Sequence, residues 1–216
     1  MQTFLIALCL CGAAAAPHAQ QGPPKDPNAT RAADLVELVK LDPTIKLDIR
    51  YAGTNNFLGK PVYKEARAFL QRPAATALVA AHRELARSGY GLLIHDGYRP
   101  WAITKLFWDM TSGYQREFVA DPKIGSKHNR GSAIDLTMYD LALGTAVEMP
   151  GGYDEMSPRS YPDYTGGPPE ARAKRDLLRQ VMERHGFTVE PNEWWHFNYK
   201  DWGQYPILDI AFGDIR

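Results

Sequence analysis

Cysteine is scarce in this chain. Of 216 residues only Cys9 and Cys11 carry a thiol, and both lie in an apolar opening stretch. If that stretch is removed on export, the mature chain has no disulfide, no thiolate nucleophile and no thiolate metal ligand. Any metal site must then be built from histidine and carboxylates. An excess of either charge is also missing, since 25 Lys and Arg balance 25 Asp and Glu. Nothing in that balance favours a nucleic-acid partner or a membrane surface. No apolar run reaches the ~20 residues that an ordinary spanning helix needs, so stable membrane insertion is not expected. Internal repeats are absent, which excludes a solenoid or propeller.

What remains is ordinary globular composition, with 44% hydrophobic and 23% charged residues. The length suits one domain. Residues 1–19 read as a secretory signal, with cleavage near Ala16 or Ala19. They hold an apolar run from Phe4 to Cys11, then alanines, and no charge appears before Lys25. Residues 20–30 are polar and proline-rich, a flexible leader. A single domain over 31–216 in an exported, periplasmic protein is the expected organisation.

Hydrophobic spacing sketches the elements. Ala32 to Val39 reads as a short helix, and Ile45, Leu47 and Ile49 alternate as a strand leading to Tyr51. Pro73 to Ser88 is a helix opened by proline and closed by Gly89. Leu92 to Ile94 is a buried strand ending in His95-Asp96-Gly97-Tyr98-Arg99-Pro100. Trp101 to Met110 is helical, Leu141 to Met149 a turn and short return strand, and 150–169 a long irregular loop of the kind that often covers a site. Pro169 to Arg184 is a second long helix, and Val189 to Tyr199 is mainly strand. His82 and His185 fall on helices beside charged residues and are expected to face solvent. His95 is expected to pack.

Two stretches carry chemistry. In Ser126-Lys127-His128-Asn129-Arg130-Gly131-Ser132-Ala133-Ile134-Asp135, an imidazole and a carboxylate flank a glycine. From Ala133 onward the residues alternate, which puts Asp135 on the face opposite Ile134, Leu136 and Met138. The second stretch is Glu193-Trp194-Trp195-His196-Phe197. His128, Asp135 and His196 are a plausible zinc ligand set, one ion per chain, with a fourth position left for water. Glu193 is a candidate general base. A strand would put Glu193 and His196 on opposite faces, so Glu193 is expected in a bend after Pro191-Asn192. Taken singly, either histidine is more often a loop or core residue than a ligand; the four together are much less easily coincidental.

These motifs, Ser-x-His-x-x-Gly-x-Ala-x-Asp followed by Glu-x-Trp-His, resemble those of the zinc D-alanyl-D-alanine metallopeptidases. Within them the chain is most similar to the D-Ala-D-Ala dipeptidases of the vancomycin-resistance type, over roughly residues 45–200. The resemblance implies an α+β fold with a central antiparallel sheet flanked by helices and zinc on one face. It implies hydrolysis of D-alanyl-D-alanine to two D-alanines in cell-wall metabolism, with a D,D-carboxypeptidase acting on longer stem peptides as the alternative. A zinc domain that binds peptides without cleaving them is a third reading. It fits poorly with a chain that keeps both Glu193 and Arg99. Residue by residue, the resemblance carries over His128, Asp135 and His196 as zinc ligands, Glu193 as base, and Arg99 as the cation steadying the oxyanion. Asp96 matches an acid holding that arginine and is grouped with Tyr51, Ser126 and Asp154 on the substrate-binding side. Asp154 would meet the substrate ammonium. The resistance enzymes act in the cytoplasm, whereas this chain reads as exported.

Overall fold

The computed structural model describes residues 22–216. The expected signal lies outside the described residues. The strands are β1 (Leu35–Glu37), β2 (Lys46–Leu47), β3 (Phe69–Gln71), β4 (Tyr90–Asp96), β5 (Ala133–Asp140), β6 (Phe187–Glu190) and β7 (Glu193–Tyr199). The helices are α1 (Leu38–Leu41), α2 (Arg72–Ala86), α3 (Trp101–Met110) and α4 (Pro169–Arg184). Five strands form the central sheet in the order β2-β4-β5-β7-β6, antiparallel except where β2 runs parallel to β4, and β1 pairs with β3 in a separate ribbon. The expected mixed architecture with helices against an antiparallel sheet is what forms.

Helix α2 shows why the sequence folds this way. Ala74, Ala75, Leu78, Ala81, His82 and Leu85 recur at helical spacing and all are buried. They form a stripe that packs on β4 and α4. Leu78 and Leu85 are fully enclosed; burying each contributes ~2 kcal/mol. In β5, Ile134, Leu136 and Met138 are fully enclosed as the alternation requires, but the opposite face is buried too.

Several local expectations change. Ala32 to Val39 is strand β1 running into the one-turn α1, because Leu35 to Glu37 pair with Phe69 to Gln71, a segment whose strand character goes unseen without its partner. The Leu141–Met149 return strand shrinks to a single bridge between Tyr139 and Ala146. Val189 to Tyr199 is a hairpin of two strands, β6 and β7. The expected leader is tied down from Asp26 onward, where Asp26 pairs with the buried Arg130 at 2.6 Å and the Thr30 and Arg31 amides donate to Gln204 O. His82 does not face solvent. It is 3% exposed, its Nδ1 accepts from the Leu92 amide at 3.0 Å, and its Nε2 lies 2.9 Å from Thr44 Oγ1. His95 packs as expected, buried with its ring 4.7 Å from that of Tyr153. No helix among the described residues is long and apolar enough to cross a membrane.

Candidate metal centre and active site

Asp96, Asp135 and His196 form one row across β4, β5 and β7, each opposite the next in register. His128 arrives from the loop before β5. That loop turns at Gly131, whose φ of 64° lies in the left-handed region, and a Cβ there would run into Leu35. The Asn129 amide donates to Arg99 O and Thr104 Oγ1, both at 2.8 Å, and the Arg99 amide donates to His128 O at 3.1 Å. These bonds lock the His128 loop to the turn after β4. Gly97 in that turn passes so close to β3 that a Cβ would sit 2.8 Å from Phe69 O.

The three candidate ligands converge. Asp135 Oδ1 is 3.0 Å from His196 Nδ1 and 3.3 Å from His128 Nε2, and the two ring nitrogens are 3.1 Å apart. Tetrahedral zinc with bonds of ~2.0–2.1 Å sets its ligand atoms ~3.3 Å apart. The tautomers agree. His128 Nδ1 lies 2.7 Å from Gly97 O, and His196 Nε2 lies 2.8 Å from Asn198 Oδ1. Both partners are acceptors, so each of those nitrogens holds the ring proton. The inward-facing nitrogens are left with lone pairs. Asp135 Oδ1 is buried and has no hydrogen-bond partner among the described residues. Three lone pairs meeting in a buried spot call for a cation, and the nitrogen and oxygen donors suit zinc. Where the two imidazoles carry protons in place of a cation, their charge outweighs the burial of Asp135 and holds its carboxyl well below its ordinary range.

Glu193 reaches the same spot, with Oε2 3.5 Å from His196 Nδ1. The hairpin explains how. Val189 pairs with Phe197, whereas the next residue, Glu190, pairs with Glu193, so the register slips by three residues. That bulge turns Glu193 and His196 towards one face, as the expected bend after Pro191-Asn192 requires. Burial pushes the Glu193 carboxyl up to about 7, with Asp135 and Glu190 adding to it and His196 and Arg99 opposing.

Arg99 is buried against the rings of Phe107, at 4.8 Å, and Tyr51, at 5.4 Å. Its Nε and Nη2 lie 2.9 and 2.8 Å from Asp96 Oδ2. Asp96 Oδ1 accepts from the Tyr63 hydroxyl and the Gly97 amide, both at 2.9 Å. Asp96 therefore has no oxygen free for substrate and lies outside the pocket. From the end of a buried strand it holds Arg99, the part that the resemblance gives it.

A pocket of about 230 Å³ opens over this centre, lined by Tyr51, Arg99, Ser126, Asp154 and Glu193 together with the three candidate ligands. Ser126 Oγ accepts from the His128 amide at 3.1 Å. Asp154 is the one non-glycine residue with positive φ (57°) among the described residues, and its Oδ2 accepts from the Tyr51 hydroxyl at 3.0 Å. Burial, reinforced by the charge of Asp135, pushes the Asp154 carboxyl well above its ordinary range. Strain and an uncompensated acid together mark a site that gains from a cation. The sequence reading missed Tyr63, and it missed Tyr153, whose hydroxyl donates to Asp135 Oδ2 at 3.1 Å. Tyr153 stands beside Asp154 in the irregular loop, where no periodicity could single it out.

Residues 31–211 match the family model described as D-ala-D-ala dipeptidase. The D-alanyl-D-alanine dipeptidase of Escherichia coli (strain K12) is 37% identical over 179 residues, spanning 83% of this chain and 91% of that one. The D-alanyl-D-alanine dipeptidase of Enterococcus faecium is 36% identical over 178 residues, spanning 73% and 87%. Among solved structures, an LD-carboxypeptidase aligns with 82% of this chain and 74% of its own at 18% identity and a TM-score of 0.48, a likeness too slight to decide anything.

Proposed function

The chain belongs to the D-Ala-D-Ala dipeptidase family, and from that membership we propose that it is a zinc metallopeptidase cleaving D-alanyl-D-alanine into two D-alanines. The observation that carries this is the triangle of lone pairs from His128, Asp135 and His196, with Glu193 beside it and Arg99 Nη2 3.7 Å from Asp135 Oδ2. Zinc held by His128, Asp135 and His196 would supply Lewis acidity to the scissile carbonyl and to an attacking water. Glu193 takes a proton from that water as its oxygen adds to the carbonyl carbon, and delivers the proton to the leaving nitrogen as the C–N bond breaks. Arg99, held rigid by Asp96 and lining the pocket, is assigned to the oxygen on which negative charge develops. A fixed cation there is worth on the order of 3 kcal/mol in the transition state. Asp154, with Tyr51, holds the substrate ammonium, which compensates the buried acid. Ser126, on the pocket wall beside His128, is assigned to the substrate carboxylate.

The relatives from Escherichia coli and Enterococcus faecium are dipeptidases by name. The free ammonium that Asp154 would meet is a feature of a dipeptide and not of a stem peptide. Release of D-alanine from D-Ala-D-Ala by purified protein, abolished by a chelator and restored by zinc, is the expected result. A zinc-loaded protein that releases none would end this reading. Export to the periplasm rests on the apolar, charge-free opening of the sequence; cell fractionation and sequencing of the mature N-terminus test it.

A further inference from the structure

Behind the metal triangle runs a chain of polar groups that the hydrolytic steps leave unused. His196 and Asn198 are two apart on β7, so their side chains leave the same face. His196 Nε2 and Asn198 Oδ1 are 2.8 Å apart. The orientation of the Asn198 amide is fixed at its other end, where Nδ2 donates to Glu190 Oε2 at 2.7 Å. A carboxylate only accepts, so the nitrogen must face Glu190 and the oxygen must face His196. Glu190 Oε2 also accepts from Lys127 Nζ at 2.8 Å. Lys127 is the residue before His128. The same Glu190 Oε2 lies 3.9 Å from His196 Nε2, so its charge stands directly behind that ring. The hairpin slip described above is what places Glu190 here, directly opposite Glu193.

We propose that Asn198 and Glu190 are positioning residues for the metal: the amide fixes His196 in the Nε2–H tautomer with Nδ1 free, and the Glu190 charge behind it strengthens Nδ1 as a donor. The inference rests on the reading that His128, Asp135 and His196 hold zinc. Asn198 is 6% exposed and its two polar atoms have no other partners among the described residues, so its hydrogen bonds are committed to this relay. Outer partners of this kind commonly change metal affinity ~10–100-fold when removed.

The test is zinc affinity, read by competition with a chromophoric chelator, on the wild type and on Asn198→Leu, Asn198→Asp and Glu190→Gln. Asn198→Leu should bind zinc ~10–100-fold more weakly, the usual range for a lost outer partner. Asn198→Asp keeps an oxygen facing Nε2 but has no donor for Glu190, so it should restore only part of the affinity that Asn198→Leu loses. Glu190→Gln keeps an acceptor for the amide without its charge and should fall between Asn198→Leu and the wild type. Nitrogen NMR of the zinc-loaded wild type should show His196 protonated at Nε2. Wild-type affinity in Asn198→Leu, or a proton on Nδ1, overturns the proposal. If Asn198→Leu fails to fold, Glu190→Gln and the His196 tautomer decide: weakened zinc binding with the proton on Nε2 supports the relay, and wild-type affinity in Glu190→Gln, or a proton on Nδ1, overturns it. A wild type that binds no zinc sinks the metal reading and this inference together; one that binds zinc but spares the dipeptide sinks only the proposed substrate.

Discussion

Asp135 and His196 stand directly opposite each other on adjacent antiparallel strands, with Asp135 Oδ1 3.0 Å from His196 Nδ1. Two groups so placed, both buried, are stabilised by a shared cation. Zinc should therefore raise the melting temperature. At one hundred times its dissociation constant a ligand adds ~2.7 kcal/mol of stability. Melting with and without a chelator measures the shift. Asp135→Asn should abolish most of it, and an unchanged shift in that variant would rule Asp135 out as a ligand.

Glu193→Gln keeps the shape of the side chain and removes its basicity. It should retain one zinc per chain and lose ~10²–10⁴-fold in turnover, the usual share of a general base. Metal content by atomic absorption, beside the dipeptide assay, separates loss of the base from loss of the ion.

Arg99→Lys keeps a positive charge but not the planar fork that meets Asp96 with two nitrogens. Turnover should fall by about 10²-fold or more, with a smaller change in KM, because the guanidinium acts on charge that appears only in the transition state. Arg99→Ala is the poorer probe, since it strands the buried Asp96 carboxylate and should cost about 3–5 kcal/mol of stability.

Asp154 and the Tyr51 hydroxyl face the pocket as a pair. N-acetylation of the dipeptide removes its ammonium and should reduce kcat/KM by at least ~10²-fold, the scale of leaving a buried charge without its partner. Asp154→Asn should narrow that gap by weakening cleavage of the free dipeptide. Equal rates on both substrates with the wild type would remove Asp154 from this role.

His82 gives a pH dependence of stability that is independent of catalysis. Burial depresses its pKa, with Asp42 opposing and Arg83 adding to the depression. Its Nδ1 must stay unprotonated to accept from the Leu92 amide. The unfolded chain takes up a proton more readily near pH 6.5, so this contribution is complete above that pH. It is lost as the pH falls towards the depressed value. Urea unfolding from pH 7.5 to 5 should show wild-type stability falling more steeply than that of His82→Leu. Parallel profiles would contradict it.

Much of the site could be read from the chain. The ligand types, the alternation that puts Asp135 opposite Ile134 and Leu136, and helices α2, α3 and α4 all follow from local spacing and from prolines and glycines at element ends. The limits are equally physical. His82 sits in a helix among charged neighbours, and only the edge of β4 reveals that its ring is buried. Phe69 to Gln71 look like loop until β1 lies beside them. Tyr63, Tyr153 and Asn198 act through hydrogen bonds to residues distant in sequence, and no local pattern records those bonds.

The amino-acid order by itself determined which groups are available: two imidazoles, one aspartate, a glutamate, a guanidinium, and no thiol in the catalytic region. Tertiary structure decided which atoms of those groups meet. A three-residue slip in a hairpin turned Glu193 towards His196, and Gly97 O and Asn198 Oδ1 chose the nitrogen on which each ring keeps its proton. Residue type sets what a side chain can donate or accept. Orientation depends on partners brought close only by folding, because a hydrogen bond is sensitive to tenths of an ångström and to angle, neither of which sequence separation encodes.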